Sequence, residues 1–372
     1  MPIPSTSRTL DRLPLTSESL VTHPRQPTLS TQVWSEHRLW VAIVATHLGM
    51  GTVLDSLGVL DVLRPGTLWD PRVLLQFLLL TALWLPVQLA RYRWQVRQEG
   101  QRVNGWRGWQ LGFNRFRAEH SPAVILGAVA AAFLTMLTIR LHDSWKSTIS
   151  GYTWDRTFHR WDLALHGGIE PWRWLQPIVG FPAITQLIDQ AYFAWYYVVT
   201  LCLVWQAWNL NRGARTRFFV AYALAIVLLG TAMAHALASG GPVFYAGLVA
   251  GQDPYGGLVT YLHEVHAQEP LRAVRLQHLV WANHFSGARQ FWLAMSAMPS
   301  LHVALAAVFA CAGWAQSRHL GMLLTAFAAA TLLGSVSLGW HFAVDGYVGI
   351  AGALGCWWIA GRVTRGRGGR KP

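Results

Sequence analysis

The chain has 372 residues, of which 53% are hydrophobic and only 13% are charged. Soluble domains contain about 25% charged residues, so the composition argues against a soluble enzyme and for a protein embedded in a membrane. The formal net charge is +13. The basic residues cluster between apolar stretches, which is typical of topology signals and headgroup contacts rather than of a nucleic-acid surface. The three cysteines have neither disulfide nor metal-site spacing.

Eight apolar segments are long enough to cross a bilayer core, which takes about 20 residues of helix. The predicted spans are 39–62, 72–90, 121–140, 184–208, 218–238, 300–316, 320–339 and 345–361.

Arginine-rich segments set the predicted orientation. With eight spans, the connections 91–120, 209–217 and 317–319 and both termini fall on one side. The positive-inside rule makes that side cytoplasmic. We therefore predict an all-α integral membrane fold in four parts. They are a disordered cytoplasmic tail (1–35), two N-terminal transmembrane helices with a basic loop (36–120), a six-helix catalytic core (121–361) and a basic cytoplasmic tail (362–372).

Two long connections, 141–183 and 239–299, fall on the opposite side in this topology. Connections of this length within a compact bundle are usually functional or locally structured. Within the first, residues 154–166 have apolar and charged residues at helical spacing. This pattern predicts an amphipathic helix at the membrane interface.

A first group of polar residues begins the sixth predicted span, in the stretch SAMPSLHVA from Ser296. Ser300 is placed to cap the helix, and the free N–H groups of a helix N-terminus attract anions. His302 lies within the first turn beyond this cap. The stretch therefore predicts a histidine next to an anion site.

A second group lies in the stretch GWHFAVDGYVG from Gly339. His341 and Asp345 are four residues apart and are predicted to share one helix face. A carboxylate that accepts from one imidazole nitrogen sets the tautomer and raises the basicity of the other nitrogen. The topology places His302 at the same non-cytoplasmic face. Local hydrogen bonding, or a metal site formed by these three residues, are the alternatives.

The stretches SAMPSLHVA and HFAVDGYVG resemble the second and third motifs of the type-2 phosphatidic acid phosphatase superfamily. The leucine before the first histidine and the aromatic residue after the second resemble the inositol phosphorylceramide synthase branch. The resemblance covers about 140–361. It implies that His341 is the nucleophile that becomes phosphohistidine, Asp345 orients it, and His302 is the general acid, without metal or other cofactor.

This sequence departs from the superfamily in its basic residues. No arginine precedes His341 in the third motif, and the Lys-and-Arg-Pro first motif is not evident. A cation is still needed to stabilise the phosphate oxygens. Arg156 and Arg160, four apart, are the preferred substrate-binding candidates. The other candidates on the same face are Lys146, Arg173, Arg272, Arg275 and Arg289.

Several further residues are candidates for the substrate cavity. Gly241, in a Gly-Gly-Pro segment, either presents backbone amides to the substrate or simply ends a helix, and Tyr245 follows it. His235 and Asp189 lie near the outer ends of their spans. Each either lines the cavity or forms a buried hydrogen bond.

The leading hypothesis is a phosphotransferase. It moves a phosphoryl or phospho-headgroup from a lipid donor to a hydroxyl acceptor such as inositol, a sugar or another lipid. The alternatives are a lipid phosphate phosphatase with the same mechanism and a non-catalytic lipid transporter. Transporters typically have ionisable residues along a path through the membrane, whereas here they gather at one face. We predict a bacterial inner membrane with a periplasmic site, or alternatively a lumenal site in a eukaryotic endomembrane.

Overall fold

The computed structural model describes residues 28–62, 71–99, 105–286 and 293–365. Within these ranges the chain forms helices and turns and no strand. The helices are α1 (Leu29–Ser56), α2 (Pro71–Gln98), α3 (Trp106–Glu119), α4 (Pro122–Lys146), α5 (Asp155–Leu165), α6 (Pro171–Val179), α7 (Pro182–Phe193), α8 (Trp195–Ala207), α9 (Arg212–Leu224), a π-helical continuation (Ala225–Met233), α10 (Ala234–Ala236), a 3-10 turn (Pro242–Phe244), α11 (Tyr245–Leu248), α12 (Gly256–Gln268), α13 (Arg272–Ser286), α14 (Leu301–Gln316), α15 (Arg318–Ser337) and α16 (Ala343–Arg365).

Six helical segments in the described part of the chain are long and apolar enough to cross a membrane, which indicates an integral membrane protein. They are Leu29–Ser56, Pro122–Lys146, Pro182–Ala207, Arg212–Ala236, Arg318–Ser337 and Ala343–Arg365. Helices α2 and α14 occupy the other two predicted spans, but α14 has only 16 residues. A full crossing takes about 20. The count of eight spans therefore stays a prediction.

Helix α1 begins before the first predicted span. Its N-cap is Thr28, whose hydroxyl accepts a hydrogen bond from the backbone N–H of Thr31 at 3.3 Å. This cap starts the helix at Leu29, so the end of the predicted disordered tail (1–35) is helical. The rest of that tail, residues 1–27, lies outside the described residues. Of the predicted C-terminal tail, α16 includes residues 362–365, and residues 366–372 are likewise outside.

Buried contacts attach α1 to the rest of the bundle. The carboxylate of Glu36 pairs with the guanidinium of Arg215 on α9, and both side chains are almost fully buried. Removing one partner of such a pair costs about 3–5 kcal/mol. Trp40 stacks on Phe219 with 4.4 Å between ring centroids, and its indole N–H donates to Thr138 on α4. The N-terminal helices are thus integrated with the core.

The two long connections contain helices. Residues 141–183 include α5 and α6, and residues 239–299 include α11, α12 and α13. The predicted amphipathic helix is α5, with Trp161 and Leu165 exposed. Its other face, with Asp155 and Asp162, is buried against the protein. This buried polar face is a long-range feature that helical spacing does not reveal.

Helices α14 and α16 begin side by side, which brings the two predicted motifs together. The backbone N–H of Ser300 donates to the backbone carbonyl of Asp345 at 3.0 Å. The approach requires a glycine on α16, because a Cβ at Gly349 would lie 2.8 Å from the Ser300 carbonyl oxygen. His302 and Asp345 therefore lie at the same end of the bundle.

Candidate active site

His341 lies in the turn between α15 and α16. Its backbone N–H donates to the carbonyl of Ser335 at 3.0 Å. Its Nδ1 is 2.9 Å from the carbonyl oxygen of Ala297 and 3.3 Å from Oδ2 of Asp345. Both neighbours are acceptors, so Nδ1 carries the proton and Nε2 keeps the lone pair. A buried ring held in this tautomer presents Nε2 as its reactive nitrogen.

The contact between His341 and Asp345 forms differently from the sequence prediction. The spacing predicts two positions on one helix face, but α16 begins only at Ala343. Asp345 lies in the first turn, and its Oδ2 also accepts the backbone N–H of Phe342 at 3.0 Å. This bond turns the carboxylate back toward His341. The predicted pair is present, but a turn rather than a helix face creates it.

His302 lies in the first turn of α14, in a setting of aromatic rings. Its ring centroid is 4.3 Å from Trp195, 5.4 Å from Tyr192 and 6.5 Å from His341. The indole N–H of Trp195 donates to the backbone carbonyl of His302 at 2.9 Å. The aromatic residues of α7 and α8 therefore restrict the orientation of His302, a function that the sequence does not indicate.

Ser300 is the N-cap of α14, as predicted, but its hydroxyl does not cap the helix. Its Oγ is buried and has no hydrogen-bond partner among the described residues. A buried polar group normally has a partner. The contact that Ser300 does make at the site is the hydrogen bond from its backbone N–H to the carbonyl of Asp345.

A cavity of about 390 Å³ connects the two histidines to Lys146, at the end of α4. The polar side chains around this end of the cavity also include His142, Asp143 and Trp340. The cavity continues between α2, α4, α8 and α14, where most of the lining is apolar. The apolar side chains there are Phe77, Ala132, Ile139, Val199, Leu203, Ile226 and Leu305.

The preferred basic candidates lie outside this cavity. Arg156 is exposed and donates to the carbonyl of Ala250 at 2.9 Å. Arg160 is exposed as well, and of the basic candidates that the structure describes only Lys146 lines the cavity. The remaining candidates, Arg173, Arg272 and Arg275, are exposed, and Arg289 is outside the described residues.

Asp155 of α5 binds the Gly-Gly-Pro segment. It accepts the backbone N–H groups of Gly240 at 3.0 Å and Gly241 at 2.8 Å. The predicted backbone amides are therefore engaged by a carboxylate. Gly241 has a φ of 102°, and a Cβ there would collide with the carbonyl oxygen of Trp340. The glycine is thus required for a close approach to the turn that carries His341.

Asp162 lies about two turns after Asp155 on the same buried face of α5 and binds the start of α16. It accepts the backbone N–H groups of Ala343 at 2.8 Å and Val344 at 2.9 Å, two donors that a helix N-terminus leaves unpaired. Burial raises the pKa of Asp162, and these two hydrogen bonds act in the opposite direction. Asp155 and Asp162 therefore fix both backbone segments around His341.

The remaining predicted residues have structural partners. Tyr245 is buried, with its ring 5.4 Å from Tyr255 and 5.6 Å from His159. His235 is hydrogen-bonded through both ring nitrogens. Asp189 accepts two backbone N–H groups at the start of α13. None of the three contributes to the cavity lining in the described part of the chain.

His142 is a cavity residue that the sequence analysis did not single out. It is four residues before Lys146 on α4 and lines the same cavity. Its Nδ1 is buried without a hydrogen-bond partner among the described residues. The spacing of two basic residues one turn apart, at the end of an apolar helix, is the signal that could have revealed it.

The family model of the PAP2 superfamily matches residues 156–359, more than half of the chain. The chain belongs to the PAP2 superfamily. Membership indicates phosphatase or phosphotransferase activity on phosphate esters. Neither the curated proteins nor the solved structures gave a match. Lys146 and His142 lie upstream of the part that matches the PAP2 superfamily.

Replacing Asp162 with asparagine is expected to lower the free energy of unfolding by about 1.5–3 kcal/mol, the usual worth of a hydrogen bond to a charged group. It should also reduce turnover, because α16 carries Asp345 against His341. The matched control is Asp253→Asn, which affects a carboxylate that accepts the Tyr255 N–H next to α12. Thermal unfolding and turnover of both variants test this. Equal turnover in both would contradict a positioning role for Asp162.

Proposed function

We propose that the protein transfers a phosphoryl group from a lipid phosphate ester to a hydroxyl acceptor, through a phosphohistidine at Nε2 of His341. The observation that carries the proposal is the commitment of Nδ1 to Ala297 and Asp345, with His302 across the cavity at 6.5 Å between ring centroids. A nucleophile with an orienting carboxylate and a separate proton donor is the arrangement of covalent catalysis.

The proposed reaction has two steps. Nε2 of His341 attacks phosphorus, the bond to the lipid alkoxide oxygen breaks, and His302 gives that oxygen a proton. His302 then takes the proton of the acceptor hydroxyl, whose oxygen attacks phosphorus as the P–N bond breaks. Lys146 lines the same cavity, and its ammonium group stabilises the charge on the phosphate oxygens.

Polar groups in the cavity favour an acceptor that bears hydroxyl groups. His142 Nδ1 and Trp340 Nε1 belong to cavity residues, and both atoms lack a hydrogen-bond partner among the described residues. Buried polar groups of this kind are stabilised when a ligand pairs with them. Inositol or a sugar would supply such hydroxyl groups, and water as acceptor would instead give a lipid phosphate phosphatase.

The proposed setting is a bacterial inner membrane with both termini in the cytoplasm. The charge distribution supports this orientation, because arginines concentrate in the connections at one end of the bundle. The histidines lie at the other end of α14 and α16, which then faces the periplasm. Substrate would therefore come from the outer leaflet.

The test is mass spectrometry of products from the purified protein and from His341→Ala, each given a native-membrane lipid extract with and without inositol. A phospho-headgroup product that requires both His341 and inositol supports transfer. Free phosphate without an acceptor identifies the phosphatase instead. Identical products from the two proteins would remove the catalytic assignment of His341, and the absence of any product from either would favour a non-catalytic lipid-binding protein.

A further inference from the structure

Helix α2 forms one wall of the cavity, although it lies outside the segment that matches the PAP2 superfamily (156–359). Gln76 and Phe77 both line the cavity, and Phe77 is only 6% exposed. Their neighbours Leu78 and Leu79 are 52% and 57% exposed. One face of α2 is therefore turned to the cavity and another is turned outward.

A polar contact sets the rotation of α2 at this point. Nε2 of Gln76 donates to Oγ1 of Thr200 on α8 at 2.8 Å. The Thr200 hydroxyl in turn donates to the backbone carbonyl of Tyr196 at 2.8 Å. An unpaired amide in an apolar environment is costly, so this contact favours one orientation of the helix. It keeps Phe77 directed at the cavity.

The depth of the cavity fits a hydrocarbon chain. Lys146 and Ala132 both line it and are fourteen residues apart on α4. This separation is about 21 Å at a rise of ~1.5 Å per residue. One leaflet of the hydrocarbon core is about 15 Å deep. The cavity therefore extends from the phosphate-binding end through the depth of one leaflet.

The chemistry of the lining changes along this depth. The end near His302 carries histidine, lysine and carboxylate side chains, and the deeper part is mainly apolar. A volume of about 390 Å³ is near the lower end of the ~300–1,000 Å³ range of ligand pockets. Such a cavity suits one chain rather than two. Its polarity is that of a phosphate ester attached to a single buried chain.

We infer that the deep part of the cavity binds a hydrocarbon chain of the phosphate donor, alongside Phe77 and between α2, α4 and α8. The inference rests on the proposed function and extends it to donor recognition. It assigns α2 a role as a chain-binding wall. The donor class is then a lipid phosphate with a chain long enough to reach Ala132.

The experiment uses a long-chain alkyl phosphonate with a photoreactive diazirine in mid-chain. Its C–P bond is not cleaved by phosphoryl transfer, so labelling reports binding without turnover. After irradiation of the purified full chain, labelled residues are mapped by mass spectrometry. Labelling is expected around Phe77 and Val199, with competition by the unlabelled phosphonate and not by the corresponding alcohol.

Two substitutions on α4 test whether the labelled chain lies inside the cavity. Ala132→Phe narrows the cavity, whereas Val129→Phe places the same aromatic side chain on α4 at a position that is 58% exposed. Labelling of Ala132→Phe is expected to fall about tenfold, equivalent to ~1.4 kcal/mol, and labelling of Val129→Phe to stay unchanged. Leu203→Trp, on α8, narrows the cavity from the opposite side if Ala132→Phe does not fold.

The positions of the labelled residues in the unsubstituted protein test the inference independently of the variants. Labelling confined to Leu78 and Leu79 would show a chain on the outer surface of α2 and would overturn the inference. Undiminished labelling of a folded Ala132→Phe would do the same. Cavity labelling without any phosphoryl transfer would leave the chain site intact and remove the proposed function, so the two failures are distinguishable.

Discussion

Alanine substitutions of His341 and His302 are expected to cause losses of different kinds. Without Nε2 of His341, no covalent phosphoenzyme can form, and turnover should fall by about 10⁴-fold or more. Without His302, the nucleophile remains but the leaving alkoxide lacks a proton donor. A general acid contributes about 10²–10⁴-fold, so His302→Ala should retain a measurable reaction.

The choice of leaving group in the substrate further distinguishes the proposed functions of the two histidines. An aryl phosphate leaves without protonation, so it should restore the first step in His302→Ala and not in His341→Ala. With a radiolabelled aryl phosphate as donor, an acid-labile phosphoprotein should then be trapped in His302→Ala and not in His341→Ala. His319→Ala, an exposed histidine at the opposite end of the bundle, is the matched control. A phosphoprotein that persists in His341→Ala would assign the nucleophile elsewhere.

The contact between His341 and Asp345 could be predicted from the sequence because it depends on local spacing. His341 and Asp345 are four residues apart, and their contact of 3.3 Å follows from one turn of chain. The residues that hold His341 and Asp345 in place could not be predicted in the same way. Asp162 reaches Ala343 across 181 residues of sequence. Nothing in the spacing of α5 distinguishes a buried carboxylate of this kind from a solvated one.

The fold likewise has local features that the sequence predicts and long-range features that it does not. Apolar length located the spans, because crossing a membrane sets a minimum number of apolar residues. Helix ends were less predictable, since they depend on caps and tertiary contacts. Thr28 starts α1 before the first predicted span, whereas the predicted span 184–208 corresponds to one apolar segment, Pro182–Ala207, which contains α7 and α8. Glu36, which precedes the first predicted span, lies within α1 and pairs with Arg215, a residue far away in the sequence.

Which basic residue lines the cavity is the least predictable feature of the site. Several basic residues occur on the relevant side, and Arg156 and Arg160 were preferred for their shared helix face. That face of α5 is exposed, while Asp155 and Asp162 occupy the buried face. Helix α4 is apolar over most of its surface, so its sequence does not show which way Lys146 points. Only packing directs this residue into the cavity.

Replacing Lys146 with glutamine is therefore expected to reduce kcat about 10²–10³-fold, the usual effect of removing one group that stabilises transition-state charge. The leaving oxygen gains negative charge as its bond to phosphorus breaks, and the ammonium group stabilises the transferring phosphoryl group at this stage, so the loss should appear mainly in kcat. Lys146→Arg keeps the charge but replaces a compact ammonium with a planar guanidinium, and should recover part of the activity. The measurement is kcat and KM for the same lipid phosphate in each protein.

Arg156→Gln and Arg160→Gln are the matched controls, since both remove one positive charge from the same end of the bundle. Arg156 and Arg160 are exposed, and charges in water contribute little at a distance because solvent and salt screen them. Both variants should keep kcat within about twofold of the unsubstituted protein, a change of ~0.4 kcal/mol. A large loss in either variant with Lys146→Gln unaffected would return the phosphate-binding role to α5. It would also require α5 to move toward the histidines when substrate binds.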